Sequence, residues 1–253
     1  MVQDRRDNKR SDNRRPRPRR DEPVVVEWVP KTEIGKAVLA GKITDIETIL
    51  SSGNTILEAE IVDKLVPGLE KDLLLIGQSK GKFGGGQRRA FRQTQKKTKE
   101  GNKPKFTTLA VVGNYDGYVG LGRGASKETV PAREKAFRKA KLHLIKIARG
   151  YAGPDLIQGD PHTIPFTVRG KCGSCEIVLM PAPKGTGLVI EKECAKILKL
   201  AGIKDVYAKS FGKSKTRLNN LAACFDALQQ LTKVKVRAEE LERLGIIYGR
   251  IGQ

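Results

Sequence analysis

Nineteen of the twenty-one excess positive charges of this 253-residue chain fall in three stretches, and that segregation limits what the rest can be. Residues 1–23 hold nine basic and five acidic side chains, residues 78–106 ten and one, and residues 129–149 seven and one. The other 180 residues are left with a net charge of only +2. A body that close to neutral, in a chain 38% hydrophobic, can bury a core that offsets the entropy of ordering it. One cationic run alone reads as a solvated face. Three of them, one inside the folded region, require a polyanionic partner. No stretch nears the roughly 18 apolar residues of a membrane span, and the charged start has no apolar signal region, so neither a membrane nor a secretory route is expected.

Along the chain, residues 1–23 read as a disordered basic arm and 24–70 as a helical extension. Thr32 is placed to cap a helix carrying Ile34 and Val38 and stopped by Gly41. Thr44 with Glu47 reads as a capping box, and Ile61, Val62 and Leu65 form a third apolar face ending at Pro67-Gly68. A unit over 71–150 follows: a strand from Leu73, a long basic Gly-rich loop over 78–105, and a hairpin over 106–123 turning at Asn114–Gly117. Its last helix starts near Thr129 with an apolar stripe of Ala136, Phe137, Ala140, Leu144 and Ile147. Gly153-Pro154 and Asp160-Pro161 mark a boundary. Residues 151–231 then read strand, strand, helix, strand, helix, and 232–253 form a tail. The fold class is α+β, in two units.

Local motifs fail as catalytic sites when their chemistry is completed. Gly120-Leu121-Gly122-Arg123-Gly124-Ala125 fits a loose dinucleotide fingerprint, but Lys141, Lys146 and Arg149 stand where the acidic ribose ligand belongs. Those glycines read instead as close approach between protein and RNA backbones. Phe211-Gly212-Lys213-Ser214 resembles the end of a P-loop whose first glycine is replaced by Tyr207. Lys213, Lys215 and Arg217 can still hold phosphate at a helix entrance. Cys172 and Cys175 make half a zinc knuckle and are weak metal candidates, while Cys194 and Cys224 look isolated and Cys224 core-facing. His143 and His162 have no catalytic companions, so no enzyme and no cofactor are expected. With aromatics at 5%, stacking on single strands is disfavoured, and contact with the sugar-phosphate backbone of folded or duplex RNA is the expected mode. A nucleotide-using enzyme and an RNA chaperone acting alone are the competing classes.

Three motif sets together resemble a known family. The first is Val112-Gly113-Asn114 through Gly117, Gly120, Gly122, Gly124 and Ser126-Lys127-Glu128 to Arg133, Lys135 and Ala136. The second is Pro161-His162, Gly170-Lys171-Cys172-Gly173-Ser174 and Met180–Leu188; the third is Leu200–Ile203, Phe211-Gly212, Asn219 and Phe225–Leu228. They are similar to the universal small-ribosomal-subunit protein five family, and Glu27–Thr32 and Glu60–Asp63 look like its archaeal/eukaryotic branch, more archaeal than eukaryotic. The resemblance implies a double-stranded-RNA-binding-like α-β-β-β-α domain and a family-type C-terminal β-β-α-β-α domain. It implies a cytoplasmic protein in the small subunit, contacting rRNA, mRNA where it enters, and small-subunit proteins four, three and eight, and supporting assembly, accuracy and mRNA unwinding. With the charge map, it marks Lys80, Lys82, Arg88, Arg89, Arg92, Lys96, Lys97, Lys103, Lys105, Arg123, Lys127, Arg133, Lys171, Lys184, Lys213, Lys215 and Arg217 as RNA-binding.

Overall fold

A computed structural model describes residues 28–79, 86–153 and 159–250; the expected arm over 1–23 and the candidates Lys80 and Lys82 lie outside them. Three short helices come first: α1 (Glu33–Leu39), α2 (Ile46–Ser51) and α3 (Ala59–Leu65). Thr32 caps α1 as expected, its hydroxyl accepting from Gly35 N at 3.0 Å. The expected capping box does not form. Asp45 occupies the N-cap of α2, and Thr48 Oγ1 donates back to its carbonyl at 2.7 Å.

Glu58 fixes the point where the described chain begins. Its carboxylate accepts from Trp28 Nε1 at 2.8 Å, Lys31 N at 2.9 Å and Thr32 N at 2.7 Å. Desolvation pulls this carboxyl upward, but the two backbone N–H groups, the indole and the Thr32 hydroxyl outweigh it and hold the group below its ordinary value. A depressed carboxyl stabilises the fold fully above the unfolded carboxylate range and loses that contribution as pH falls through the folded value. Thermal melting of the wild type and Glu58→Gln is therefore expected to differ at pH 7, with the gap closing toward pH 3. A gap that does not change with pH would contradict the clamp.

The first sheet has the order β1-β3-β4-β5, with β1 (Glu70–Leu73), β3 (Gly101–Gly113), β4 (Tyr118–Ser126) and β5 (Leu144–Lys146); β2 (Phe91–Thr98) also pairs with β3. The distal half of the expected 78–105 loop is thus a two-stranded ribbon. Residues 101–105 pair only with β2, so the ribbon runs about 17 Å past the last residue that β4 covers. Its strands escaped the sequence reading because both faces are exposed and neither carries the apolar alternation of a half-buried strand. Near the sheet, Phe91 and Phe106 meet edge to face at 5.6 Å and anchor it.

α4 (Thr129–Leu142) packs on β4 through backbone rather than side chains. A Cβ at Gly120 would stand 2.2 Å from Ala140 O, one at Gly122 2.1 Å from Ala140 N, and one at Gly124 2.1 Å from Ala132 O. This corrects the reading of those glycines as an approach to RNA: the backbone they admit is that of α4. The same helix stops at Leu142, short of its expected end, because Leu144–Lys146 pair with Gly120–Tyr118 as β5. Leu144 and Ile147 fit a helical stripe and a strand equally well, and the open edge of β4 decides.

After β6 (Ala148–Arg149), a second sheet has the order β7-β8-β10-β9, from β7 (Val168–Cys172), β8 (Cys175–Pro181), β9 (Leu188–Val189) and β10 (Val206–Gly212). Four strands, β2, β5, β6 and β9, are therefore additional to the expected orders. Helices α5 (Lys192–Leu200) and α6 (Arg217–Lys233) cover one face, and Gly170 lets α6 approach until a Cβ there would lie 2.2 Å from Ala223 O. The tail holds α7 (Ala238–Arg243) and β11 (Ile247–Tyr248), which pairs with β6. Leu109, Val111 and Val119 of the first sheet join Ile177, Leu179, Ile197 and Leu221 in one contiguous core, so the two sheets share an interior. Among the described residues no helix is long and apolar enough to cross a membrane.

Candidate nucleic-acid interface

Segment 76–79 returns beside 88–91, and this pairing makes a groove. Gly77 N donates to Arg89 O at 2.9 Å, Arg89 N to Gln78 O at 3.3 Å, and Ser79 bridges to Arg88. Polar groups from the second unit hold the segment in place: Leu75 N donates to the buried Glu193 at 2.8 Å, and Leu75 O accepts from Arg217 at 3.2 Å. Glu191 also ties both ends of the joint, receiving Asn220 Nδ2 at 2.5 Å and facing Arg217 at 3.4 Å. Nothing local in the sequence signals the bond of Glu193 to a residue 118 positions away.

The resulting groove, about 760 Å³, is lined by Arg88, Arg89 and Arg92 from the base of the ribbon and by Lys215 and Arg217 at the start of α6. Arg89 lies over the Phe91 ring at 6.0 Å, within cation–π range. Two stretches more than a hundred residues apart thus present five cations to one concave surface. Arg217 also serves the joint, so its removal would disturb the groove as well as its charge.

Beyond the groove, Lys96, Lys97, Lys103 and Lys105 are exposed along the ribbon. Lys96 stands directly opposite Lys103. Such a like-charge pair disfavours the ribbon by roughly 0.2–1 kcal/mol. The compensating Lys103–Glu100 contact at 2.9 Å is exposed on both sides and contributes little. A ribbon built this way is best stabilised by anions from outside.

The other candidates are dispersed. Arg123 and Lys127 are exposed at the end of β4 and the turn after it, and Arg133 is half-buried on α4. Lys171 and Lys184 are exposed on β7 and the 181–187 loop, and Lys213 is exposed before α6. The 129–149 stretch is not a uniform probe. Lys141 is buried against Asp63, Lys146 meets Glu47 at 3.2 Å, and Arg149 meets Asp116 at 2.6 Å and Gly249 O at 2.9 Å. Lys135, Arg138 and Lys139 remain exposed on that helix. Removing Asp63 leaves the Lys141 ammonium buried without its partner. Because Asp63 itself is 45% exposed, the cost is discounted to about 1–2 kcal/mol. Asp63→Asn is expected to lower the urea midpoint accordingly with RNA affinity unchanged; a loss of affinity at unchanged stability would make Lys141 an RNA contact.

The cysteines sort into two pairs. Cys172 and Cys175 face each other across the β7–β8 turn, and the buried Cys175 thiol donates to Lys213 O at 3.0 Å. Cys194 and Cys224, which looked isolated, come together in the core: a hydrogen bond with Cys224, then burial, pushes the Cys194 thiol far up, so both act as small apolar groups. Among the described residues no cluster of three or more metal-binding side chains occurs.

A family model described as ribosomal protein S5, N-terminal domain, matches residues 90–148, and one described as ribosomal protein S5, C-terminal domain, matches residues 170–241. The small ribosomal subunit protein uS5 of Nanoarchaeum equitans is 47% identical over 227 residues, 90% of this chain and 97% of its own length. Those of Methanobrevibacter smithii and Methanocaldococcus jannaschii are 44% and 42% identical, over 88% and 90% of this chain and 98% of their own lengths.

Proposed function

The chain belongs to the ribosomal protein S5 family, together with these archaeal relatives, and from that premise we propose how it performs a structural role in the small ribosomal subunit. It is an RNA-binding protein and not an enzyme. The groove is the rRNA-binding surface, and the observation that carries this reading is the convergence of Arg88, Arg89 and Arg92 with Lys215 and Arg217. A concave surface with cations on both walls suits a sugar-phosphate backbone, which such contacts position without reading sequence. The ribbon extends the contact by laying Lys96, Lys97, Lys103 and Lys105 against a second stretch of phosphates.

In this reading, residues 71–150 act as a double-stranded-RNA-binding-like domain and 151–231 as the family's C-terminal domain. The protein works in the cytoplasm near the point where mRNA enters, beside small-subunit proteins four, three and eight, and supports assembly, accuracy and unwinding of incoming mRNA. The family resemblance and the cationic projection support that placement. Contacts through Arg123, Lys127 and Arg133 are not needed for it, since these three lie apart from the groove lining.

Titrating the full chain with duplex rRNA fragments over a range of salt tests the groove. Each phosphate contact adds roughly −0.9 to the log–log slope, so five groove cations alone predict a slope near −4 or steeper. An affinity that stays flat between low and moderate salt would exclude the proposal.

A further inference from the structure

The second sheet turns only one face to α5 and α6. Along its central strand β10, Val206 is buried and Ala208 half-buried against the core, so Tyr207, Lys209 and Phe211 alternate outward. The strand register extends this face sideways. Tyr207 stands opposite Met180 and beside Val189; Lys209 stands opposite Val178, which faces Arg169; Phe211 stands opposite Glu176, which faces Lys171. Tyr207 is 38% exposed and Phe211, where β10 pairs only with β8, 51%, although large aromatics on a sheet are ordinarily covered.

The geometry points to a platform for single-stranded RNA on this face, with bases stacking on Tyr207 and Phe211 and phosphates held by Lys209 and Lys171. Every base has a π-face, so rings displayed on a sheet accept a strand with little regard to sequence, and cations beside them follow its backbone. The rings are four residues apart, about 13 Å along the strand, so each is available to a separate base. Lys209 lies between them and divides the apolar surface, which suits an alternation of bases and phosphates better than one continuous apolar partner. Glu176 is the one carboxylate of the face, and Arg169 Nε pairs with it, leaving Lys171 and Lys209 to set the sign. That sign also disfavours the chain's own basic N-terminal arm as the covering segment. The low aromatic content had argued against stacking on single strands, but composition does not show that two of twelve Phe and Tyr residues share one exposed face.

This surface is distinct from the groove, so the two can fail separately. The test measures binding of the full chain to a labelled twelve-nucleotide oligouridine and to an RNA duplex, by fluorescence anisotropy at matched salt. Tyr207→Ala/Phe211→Ala is expected to weaken oligouridine binding about a hundredfold, near tenfold for each ring, with duplex affinity unchanged. Tyr207→Trp/Phe211→Trp should retain binding, and Lys209→Gln should reduce the single-strand salt slope by about 0.7 with the fold intact. The Lys209 arm stands even where the alanine pair fails to fold. Oligouridine binding unaffected by Lys209→Gln, or by loss of both rings in a folded protein, overturns the proposal. So does a folded alanine pair that binds both RNAs normally yet no longer joins the small subunit, because that result makes the face a protein contact.

Discussion

Gly122→Val is expected to abolish cooperative folding at 37 °C. Any Cβ at this position would lie 2.1 Å from Ala140 N, 2.3 Å from Ala136 O and 2.7 Å from Ala140 Cα, all backbone atoms inside α4 that no rotamer change can move. Relief requires lifting the helix off β4. That would open the contacts of Gly120 with Ala140 and Gly124 with Ala132, and disturb the Thr108 hydroxyl bond to Ala132 O at 2.9 Å. Overpacking in a tight interior ordinarily costs 1–3 kcal/mol, and a rigid backbone neighbour places this site above that range, at about 4 kcal/mol or more. Domains of this kind have roughly 5–15 kcal/mol in total, so the variant is expected to melt tens of degrees lower or to be insoluble. Circular dichroism melting gives the answer, and a variant within a few degrees of wild type would mean that α4 is not seated on this strand.

The triple variant Arg88→Gln, Arg89→Gln, Arg92→Gln is expected to do the opposite: keep the fold and lose the RNA. All three side chains are exposed, and the hydrogen bonds that shape this segment, Gly77 N to Arg89 O and Arg89 N to Gln78 O, come from backbone atoms that the substitutions leave in place. If each arginine meets one phosphate, the log–log salt slope on duplex RNA should become shallower by about 2.7, with affinity near physiological salt falling on the order of a hundredfold. The melting temperature should change by no more than a few degrees. Unchanged affinity would remove the groove as the binding surface, and loss of cooperative unfolding would show that the arginines are structural.

The sequence and the fold diverge wherever a decision depends on residues far apart in the chain. Caps and stops of the early helices are local, so Thr32 and the stops at Gly41 and Gly68 were readable, and the one misread cap, Thr44 for Asp45, is an error of a single position. The hairpin turn was readable too: Asn114 Oδ1 accepts from Asp116 N at 2.9 Å and Tyr118 N at 3.1 Å, the local chemistry that asparagine brings to turns. The ribbon was hidden because a strand with two wet faces has no hydrophobic period. The Gly120–Gly124 column was recognised as a close approach but assigned to RNA, since glycine shows that a backbone comes near without showing whose.

The site divided in the same manner. The cationic stretches were visible as charge, and the structure brings the 88–92 and 215–217 cations together across the joint made by Leu75, Glu193 and Arg217. Charge alone could not separate Lys141, Lys146 and Arg149, held by Asp63, Glu47 and Asp116, from their exposed neighbours Lys135, Arg138 and Lys139. Those three carboxylates lie 33 to 99 positions away, at spacings no helix or strand period reveals.

The central claim is that the groove between ribbon and α6 is filled by rRNA backbone, and a density map of the small subunit assembled with this chain tests it most directly. The expected map shows phosphates within hydrogen-bonding or ion-pair distance, about 4 Å or less, of Arg88, Arg89, Arg92 and Lys215, with the β2–β3 ribbon lying along RNA. A map in which that groove opens to solvent, or holds another protein, would contradict it.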